Sequence, residues 1–192
     1  MSINALIMAG GEGSRLGMDK AFIHYYGEPQ VLHLHKMLKS LVLEVYISCR
    51  RDQQEKFQNI CPLVFDREPS IGPIGGVLAA MVTHTDHDWL VMACDMPMVS
   101  VQTLQNLLDH QGPERVITYK SEKKSFPEVL LTIYRKELLS TFQQAAESKS
   151  YSLQNVLKSV DTLFLSPDSE QELINVNTIE DLNRVNNLIK AE

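Results

Sequence analysis

Two groups of residues in this chain have the types and spacing to handle a polyphosphate. The first is Ala9-Gly10-Gly11-Glu12-Gly13-Ser14-Arg15-Leu16-Gly17-Met18-Asp19-Lys20, which follows the apolar run Ala5-Leu6-Ile7-Met8. An apolar run ending in clustered glycines predicts a buried strand that stops at a loop whose backbone amides face a ligand, because glycine tolerates positive φ and has no side chain to block approach. Arg15 and Lys20 add the positive charge that a triphosphate needs besides amide donors. A glycine turn with two solvated bases is the plainer alternative. The second group centres on Asp95, directly after the unbroken apolar run Trp89-Leu90-Val91-Met92-Ala93-Cys94. A carboxylate there is poorly solvated, and its burial is costly without a partner. A magnesium ion suits it, since Mg²⁺ takes one or two carboxylates plus phosphate oxygens and water. The structural alternative is an Asp that caps the helix beginning near Ser100 or the turn at Pro97. Asp66, after Leu63-Val64-Phe65, has the same two readings.

These groups need a frame, and the hydropathy pattern supplies it. Strands are predicted at Leu6 to Met8, Val45 to Cys49, Leu63 to Phe65, Trp89 to Cys94, Val116 to Tyr119, Val129 to Tyr134 and Thr162 to Leu165. Helical spacing is present from Val31 to Val42, with Pro29 suited to a first turn, and in Arg51 to Gln58, Val77 to Val82 and Val101 to His110. It returns in Arg135 to Glu147, Ser152 to Ser159 and Ile179 to Ile189. The alternation predicts an α/β fold, a single three-layer domain with a mainly parallel, Rossmann-like sheet and helices on both faces. Ligands of such sheets lie at the carboxyl ends of the strands. The glycine loop, Ser48 and Arg50, Asp66 and Asp95 each follow a predicted strand directly. Lys120 to Ser125 is polar and is expected to be an exposed, mobile loop.

A length of 192 residues suits one domain spanning 1–192, and a hydrophobic fraction of 44% is that of an ordinary globular protein. No apolar run is long enough to cross a bilayer and the N-terminus lacks the character of a secretory signal, so the cytoplasm is the expected compartment. Cys49, Cys61 and Cys94 lack CxxC spacing and sit in or beside apolar runs, as buried thiols do. A net charge of -6 argues against a nucleic acid or an anionic membrane as partner. His33 and His35 share no helix face, and His84 and His87, among acidic neighbours, read as solvated surface rather than a zinc site. Tyr119 and Lys123 match a Tyr-x-x-x-Lys pattern, and Arg50 and Arg51 could meet a 2′-phosphate, which motivates an NADP oxidoreductase as a rival. Against it, Gly11-x-Gly13 lacks the further glycine of a dinucleotide fingerprint, and no Gly-Lys-Ser/Thr closes a P-loop.

The stretch from Met8 to Lys20 resembles the signature of sugar-phosphate and cofactor nucleotidyltransferases. Gly72-Pro73-Ile74-Gly75-Gly76, Cys94-Asp95-Met96-Pro97 and Ile174-Asn175-Val176-Asn177-Thr178-Ile179-Glu180-Asp181-Leu182 resemble more narrowly the molybdenum cofactor guanylyltransferases. The likeness runs from Ile3 to about Val185. It implies transfer of GMP from GTP to the phosphate of molybdopterin, with Mg²⁺ as cofactor and pyrophosphate as second product, and contact with other molybdenum cofactor proteins. It further implies that Ala9-Gly10-Gly11 goes with guanine, where cytidylyltransferase relatives tend to have Ala-Ala-Gly.

Carried over by position, the resemblance puts Met8, Ala9 and Gly10 on the nucleotide, Lys20 on its phosphates and Asp66 on the guanosine; Gly11, Gly13 and Ser14 of the loop and Ser48 at the end of the second strand complete the expected nucleotide-binding set. Asp95 would meet both metal and GTP; Asn177 would lie near the metal or, with Asn175, at the acceptor. Arg15, Lys20 and Asp95 form the expected catalytic set. Where relatives often carry a nucleotide-contacting Asn, this chain has Ser48-Cys49-Arg50, and Ser125-Phe126-Pro127-Glu128 replaces more basic or histidine-bearing versions. A phosphate monoester is already a nucleophile at neutral pH, so such an enzyme has mainly to align reactants and neutralise charge. A cytidylyltransferase acting on molybdopterin or another phosphorylated acceptor is the nearest alternative, followed by a nucleotide-binding protein without catalysis.

Overall fold

Ile3–Met8 (β1) carries alternate apolar side chains to both faces of a sheet, with Ala5, Leu6 and Ile7 fully buried. That double burial requires cover on each side and neighbours on each edge. The computed structural model, which describes residues 2–11, 16–66, 71–110 and 112–191, supplies both. β1 pairs in parallel with Val45–Cys49 (β2) through Ala5↔Val45 to Met8↔Ser48, and with Asp88–Ala93 (β4) through Ile3↔Asp88 to Met8↔Ala93. Leu63–Phe65 (β3) adds in parallel to β2. On the far side of β4, Leu131–Tyr134 (β6) pairs antiparallel with β4 and with Val116–Tyr119 (β5), and Thr162–Leu165 (β7) lies parallel to β5. The order is β3-β2-β1-β4-β6-β5-β7, with β6 reversed against the other strands.

Two apolar layers sandwich the sheet. On one face Ala5, Ile7, Ile47, Leu90 and Met92 pack with helices Gln30–Lys39 (α1) and Val101–Leu108 (α4), represented by Val31, Leu34, Leu38, Leu104 and Leu107. The short helix Gln54–Phe57 (α2) adds Phe57 to this layer. On the other face Leu6, Trp89, Val91 and Tyr134 pack with Pro73–Thr83 (α3), Leu139–Glu147 (α5) and Leu153–Lys158 (α6). A third, smaller cluster joins Leu16, Ile23, Tyr25 and Met98 to Val176 and to Val185 of the last helix, Ile179–Ile189 (α7). Burying a side chain such as Val185 is worth about 1.5–3 kcal/mol, so this cluster fastens the C-terminal segment to the loops after β1 and β4.

Several boundaries differ from the sequence reading. α1 stops at Lys39 although its apolar spacing runs on, because Leu41 and Val42 remain packed on the core while their amides bond back to Leu38 O. α3 begins at Pro73, four residues before the predicted Val77, so Gly75 and Gly76 are helical rather than turn residues. They are glycines because α3 runs so close to the sheet that a Cβ at Gly75 would collide with the Asp66 carboxylate, and one at Gly76 with Ser48 Oγ and Met8 Cε. Lys20–Phe22 and Glu170–Leu173 form short 3-10 turns, and 3-10 turns also precede α2 and α5. In the segment expected to be an exposed loop, Ser121 is buried, donating its hydroxyl to Glu170 and accepting from Lys123 N at 3.0 Å.

Candidate functional site

At the carboxyl ends of β1 and β4, three polar side chains from distant parts of the chain converge. Lys20 Nζ lies 2.9 Å from Asp95 Oδ2 and 2.5 Å from Asn177 Oδ1. Each is set by its own local device. Lys20 opens a 3-10 turn whose cap is Asp19, with Asp19 Oδ1 accepting from Ala21 N at 3.3 Å and Oδ2 paired with Lys56 Nζ at 2.9 Å. Asp95 follows a strand buried at every position, and its carbonyl accepts from Val176 N at 2.8 Å, which stitches the C-terminal segment beside it. Asn177 precedes the α7 cap Thr178, and Asp181 Oδ2 accepts from the amides of Asn177 (3.0 Å) and Thr178 (2.9 Å). Those backbone donors, the Asn177 amide foremost, hold the Asp181 carboxyl below its ordinary value.

The arrangement leaves one acceptor unused. Asp95 Oδ1 is buried and has no hydrogen-bond partner among the described residues. An unpaired buried carboxylate oxygen is expensive, and a hard cation or a donor on a ligand would relieve it. No group of three or more His, Cys, Asp or Glu side chains is gathered for a metal among the described residues. Asp95 and the amide oxygen of Asn177 would therefore hold a cation with help from ligand oxygens and water, as Mg²⁺ prefers.

The glycine loop lies beside this cluster. Ala9 N donates to Ser48 O at 2.9 Å and Cys94 N donates to Met8 O at 3.2 Å, so the loop leaves β1 between the ends of β2 and β4. Among the described glycines of the loop, positive φ falls on Gly17, at 70°, and not on Gly10 or Gly11. Arg50 Nη1 donates to Gly10 O at 2.7 Å. Gly13, Ser14 and Arg15, named from the sequence, lie outside the described residues. Ser48 is 3% exposed, with its hydroxyl against Gly76 of α3. Met8 is half-buried, its methyl close to the same glycine. Asp66 stands at the end of β3 beside Gly75 in the first turns of α3, its amide donating to Cys49 O at 3.3 Å. Asn175 stays apart from the Lys20 cluster in its hydrogen bonding, its amide donating to Leu173 O at 3.4 Å.

Other sequence candidates are structural. Tyr119 is 2% exposed and donates to Thr103 O at 2.9 Å, and burial pushes its phenol up to about 12, so the Tyr-x-x-x-Lys pattern provides no exposed acid. His84 is half-buried and packs on Tyr46 and Trp89, with ring centroids at 4.7 and 5.9 Å, where sequence had read solvated surface. The three cysteines are free; Cys49 and Cys94 are buried and Cys61 partly so, and burial raises all three thiols above their ordinary value. No described helix is long and apolar enough to cross a membrane. Sequence reasoning missed the Arg50 contact with Gly10, whose only signal was a base directly after a strand.

Residues 5–174 match the family described as the MobA-like NTP transferase domain. The chain is 32% identical over 184 residues to a molybdenum cofactor guanylyltransferase of Pseudomonas putida, covering 92% of this chain and 94% of that protein. It is 30% identical over 178 residues to the Pseudomonas fluorescens protein of the same name, covering 91% and 89%. A molybdenum cofactor biosynthesis bifunctional protein of Synechocystis is 29% identical over 184 residues, of whose length this chain spans about half (53%). Among solved structures, molybdopterin-guanine dinucleotide biosynthesis protein A from Archaeoglobus fulgidus superposes with a TM-score of 0.82 at 21% identity, covering 99% of this chain and 100% of that one. Asn175 and Asn177 lie just past the matched family residues.

Proposed function

The chain belongs to the MobA-like NTP transferase family, and from that premise we propose that it transfers GMP from GTP to the phosphate of molybdenum-loaded molybdopterin, forming the guanine dinucleotide cofactor and pyrophosphate. The observation that carries the reading is the meeting of Lys20, Asp95 and Asn177 at the end of β4, with Asp95 Oδ1 buried and without a partner among the described residues. The names of relatives at 30–32% identity over about nine tenths of the chain support the substrates.

In this reading the protein aligns reactants and moves charge. Backbone amides of the glycine loop meet the nucleotide, and Lys20 trades its contact with Asp95 for phosphate oxygens when GTP enters. Asp95 and Asn177 are the residues that would hold Mg²⁺, which supplies charge neutralisation at the phosphates when bound. Asp66, at the end of β3 beside the first turns of α3, takes the guanosine hydroxyls or base in this reading. The acceptor phosphate needs no strong base, and no His or Cys serves as one near the Lys20–Asp95 pair among its hydrogen-bonding partners.

A pyrophosphate-release assay over the four nucleoside triphosphates, with and without molybdopterin and Mg²⁺, tests the proposal. Release is expected with GTP only when acceptor and Mg²⁺ are both present. Release with CTP would make the protein a cytidylyltransferase; GTP binding without release would make it a non-catalytic nucleotide-binding protein.

A further inference from the structure

We propose that Arg50 is a positioning residue that fixes the peptide between Gly10 and Gly11, so that the Gly11 amide is presented to the nucleotide. The proposal rests on the nucleotide reading above for its kinetic consequence but not for its structural one. Arg50 follows β2 directly, and its Nη1 donates to Gly10 O at 2.7 Å across 40 positions of sequence. The guanidinium is itself held in the plane this requires, with Nε 3.1 Å from Asp52 Oδ1 and Nη2 3.2 Å from Asp52 Oδ2. The backbone is held as well, since Arg50 N donates to Gln53 Oε1 at 3.1 Å.

A trans peptide is planar, so its carbonyl and the following N–H point in opposite directions, and no described peptide is cis. With Gly10 O turned to Arg50 on the β2 side, the Gly11 N–H points away from Arg50. Gly11 is exposed, and a Cβ built there meets no described atom within 4 Å, so no described residue crowds that glycine. Gly10 by itself does not set the orientation. It lacks a positive φ, and a Cβ on it would make ordinary contacts of 3.8 Å or more. The peptide between two glycines is free to flip, and the Arg50 hydrogen bond selects one orientation. Arg–carboxylate pairing is bidentate here, and lysine cannot reproduce it.

The test uses Arg50→Met, Arg50→Lys and Asp52→Ala. In the ligand-free protein, ¹⁵N-resolved amide exchange at Gly11 is expected to change in Arg50→Met, with its resonance shifted. In turnover, KM for GTP is expected to rise about tenfold with kcat within about twofold, since the Gly10–Gly11 peptide binds nucleotide and takes no part in the chemistry. Arg50→Lys should recover part of the loss. Asp52→Ala should raise KM by less, and combining it with Arg50→Met should add nothing further, because both act through one hydrogen bond. An unchanged Gly11 resonance, a fall in kcat at constant KM, or additive effects of the two substitutions would overturn the proposal. Should Arg50→Met fail to fold, Asp52→Ala and Arg50→Lys carry the same readouts. If the wild-type protein binds no nucleotide, the proposed function falls, while the Gly11 resonance still decides the role of Arg50.

Discussion

Strand β4 begins at a buried carboxylate and ends against a partly buried one, and the two are treated oppositely. Asp88, at its start, is fully engaged: Oδ2 meets Arg135 Nη1 at 2.9 Å, Oδ1 accepts from Lys136 N at 2.9 Å, and Arg135 Nη2 goes on to His110 O at 3.2 Å. Asp95, just past its end, meets Lys20 through Oδ2 and leaves Oδ1 buried with no partner among the described residues. Asp88 ties the start of β4 to the exit of β6 and has no oxygen to spare. Asp95 keeps one in reserve. An ion pair therefore does not distinguish the two acids; an oxygen left without a partner among the described residues, at the carboxyl edge of the sheet, does.

Exchanging the two acids experimentally should separate chemistry from stability. Asp95→Ala is expected to lower turnover by a factor of about 10³ or more while thermal unfolding shows an intact fold; an active variant would remove Asp95 from the reaction. Asp88→Ala should do the reverse. It leaves Arg135 buried without its carboxylate and should cost about 3 kcal/mol in urea unfolding, with kcat/KM within about twofold once folded. Lys20→Ala should lower kcat/KM at least about tenfold, or about 1.4 kcal/mol, and unchanged kinetics would reject its phosphate role. Thr178→Ala removes the α7 cap next to Asn177 and should cost about 1 kcal/mol, read as a drop in melting temperature.

The smallest effect concerns Asp181. Its folded pKa is lowered by the Asn177 and Thr178 amides, so its stabilisation is complete above the ordinary carboxylate value and fades as pH falls through the folded one. Melting curves of wild type and Asp181→Asn should therefore differ at neutral pH and converge in acid. A gap that widened on acidification would contradict that sign.

Much of this was legible in sequence, for reasons that differ by residue. Apolar runs located the seven described strands, and the strand-end rule drew attention to the glycine loop, Ser48, Arg50, Asp66 and Asp95. The reversal of β6 was not foreseen, although Lys120 to Leu130 shows no helical spacing and offers no crossover helix, which parallel neighbours need. The helical placement of Gly75 and Gly76 was hidden because close packing against Ser48 and Asp66 is a tertiary demand that overrides the turn propensity of glycine. Arg50 could not be assigned to Gly10 without the register that sets Met8 against Ser48. Asn177 was named by resemblance alone. Its 157-residue separation from Lys20 carries no local pattern.

That separation has a consequence for the order of events during synthesis. A chain emerging from the ribosome has Lys20 and Asp95, which lie 75 positions apart, well before it has Asn177. Val176, whose amide bonds to Asp95 O, immediately precedes Asn177, and the Val185 contacts that fasten this segment come later still, with α7. Until α7 has been made, the polypeptide carries Lys20 and Asp95 but lacks the Val185 contacts that fasten the segment bearing Asn177.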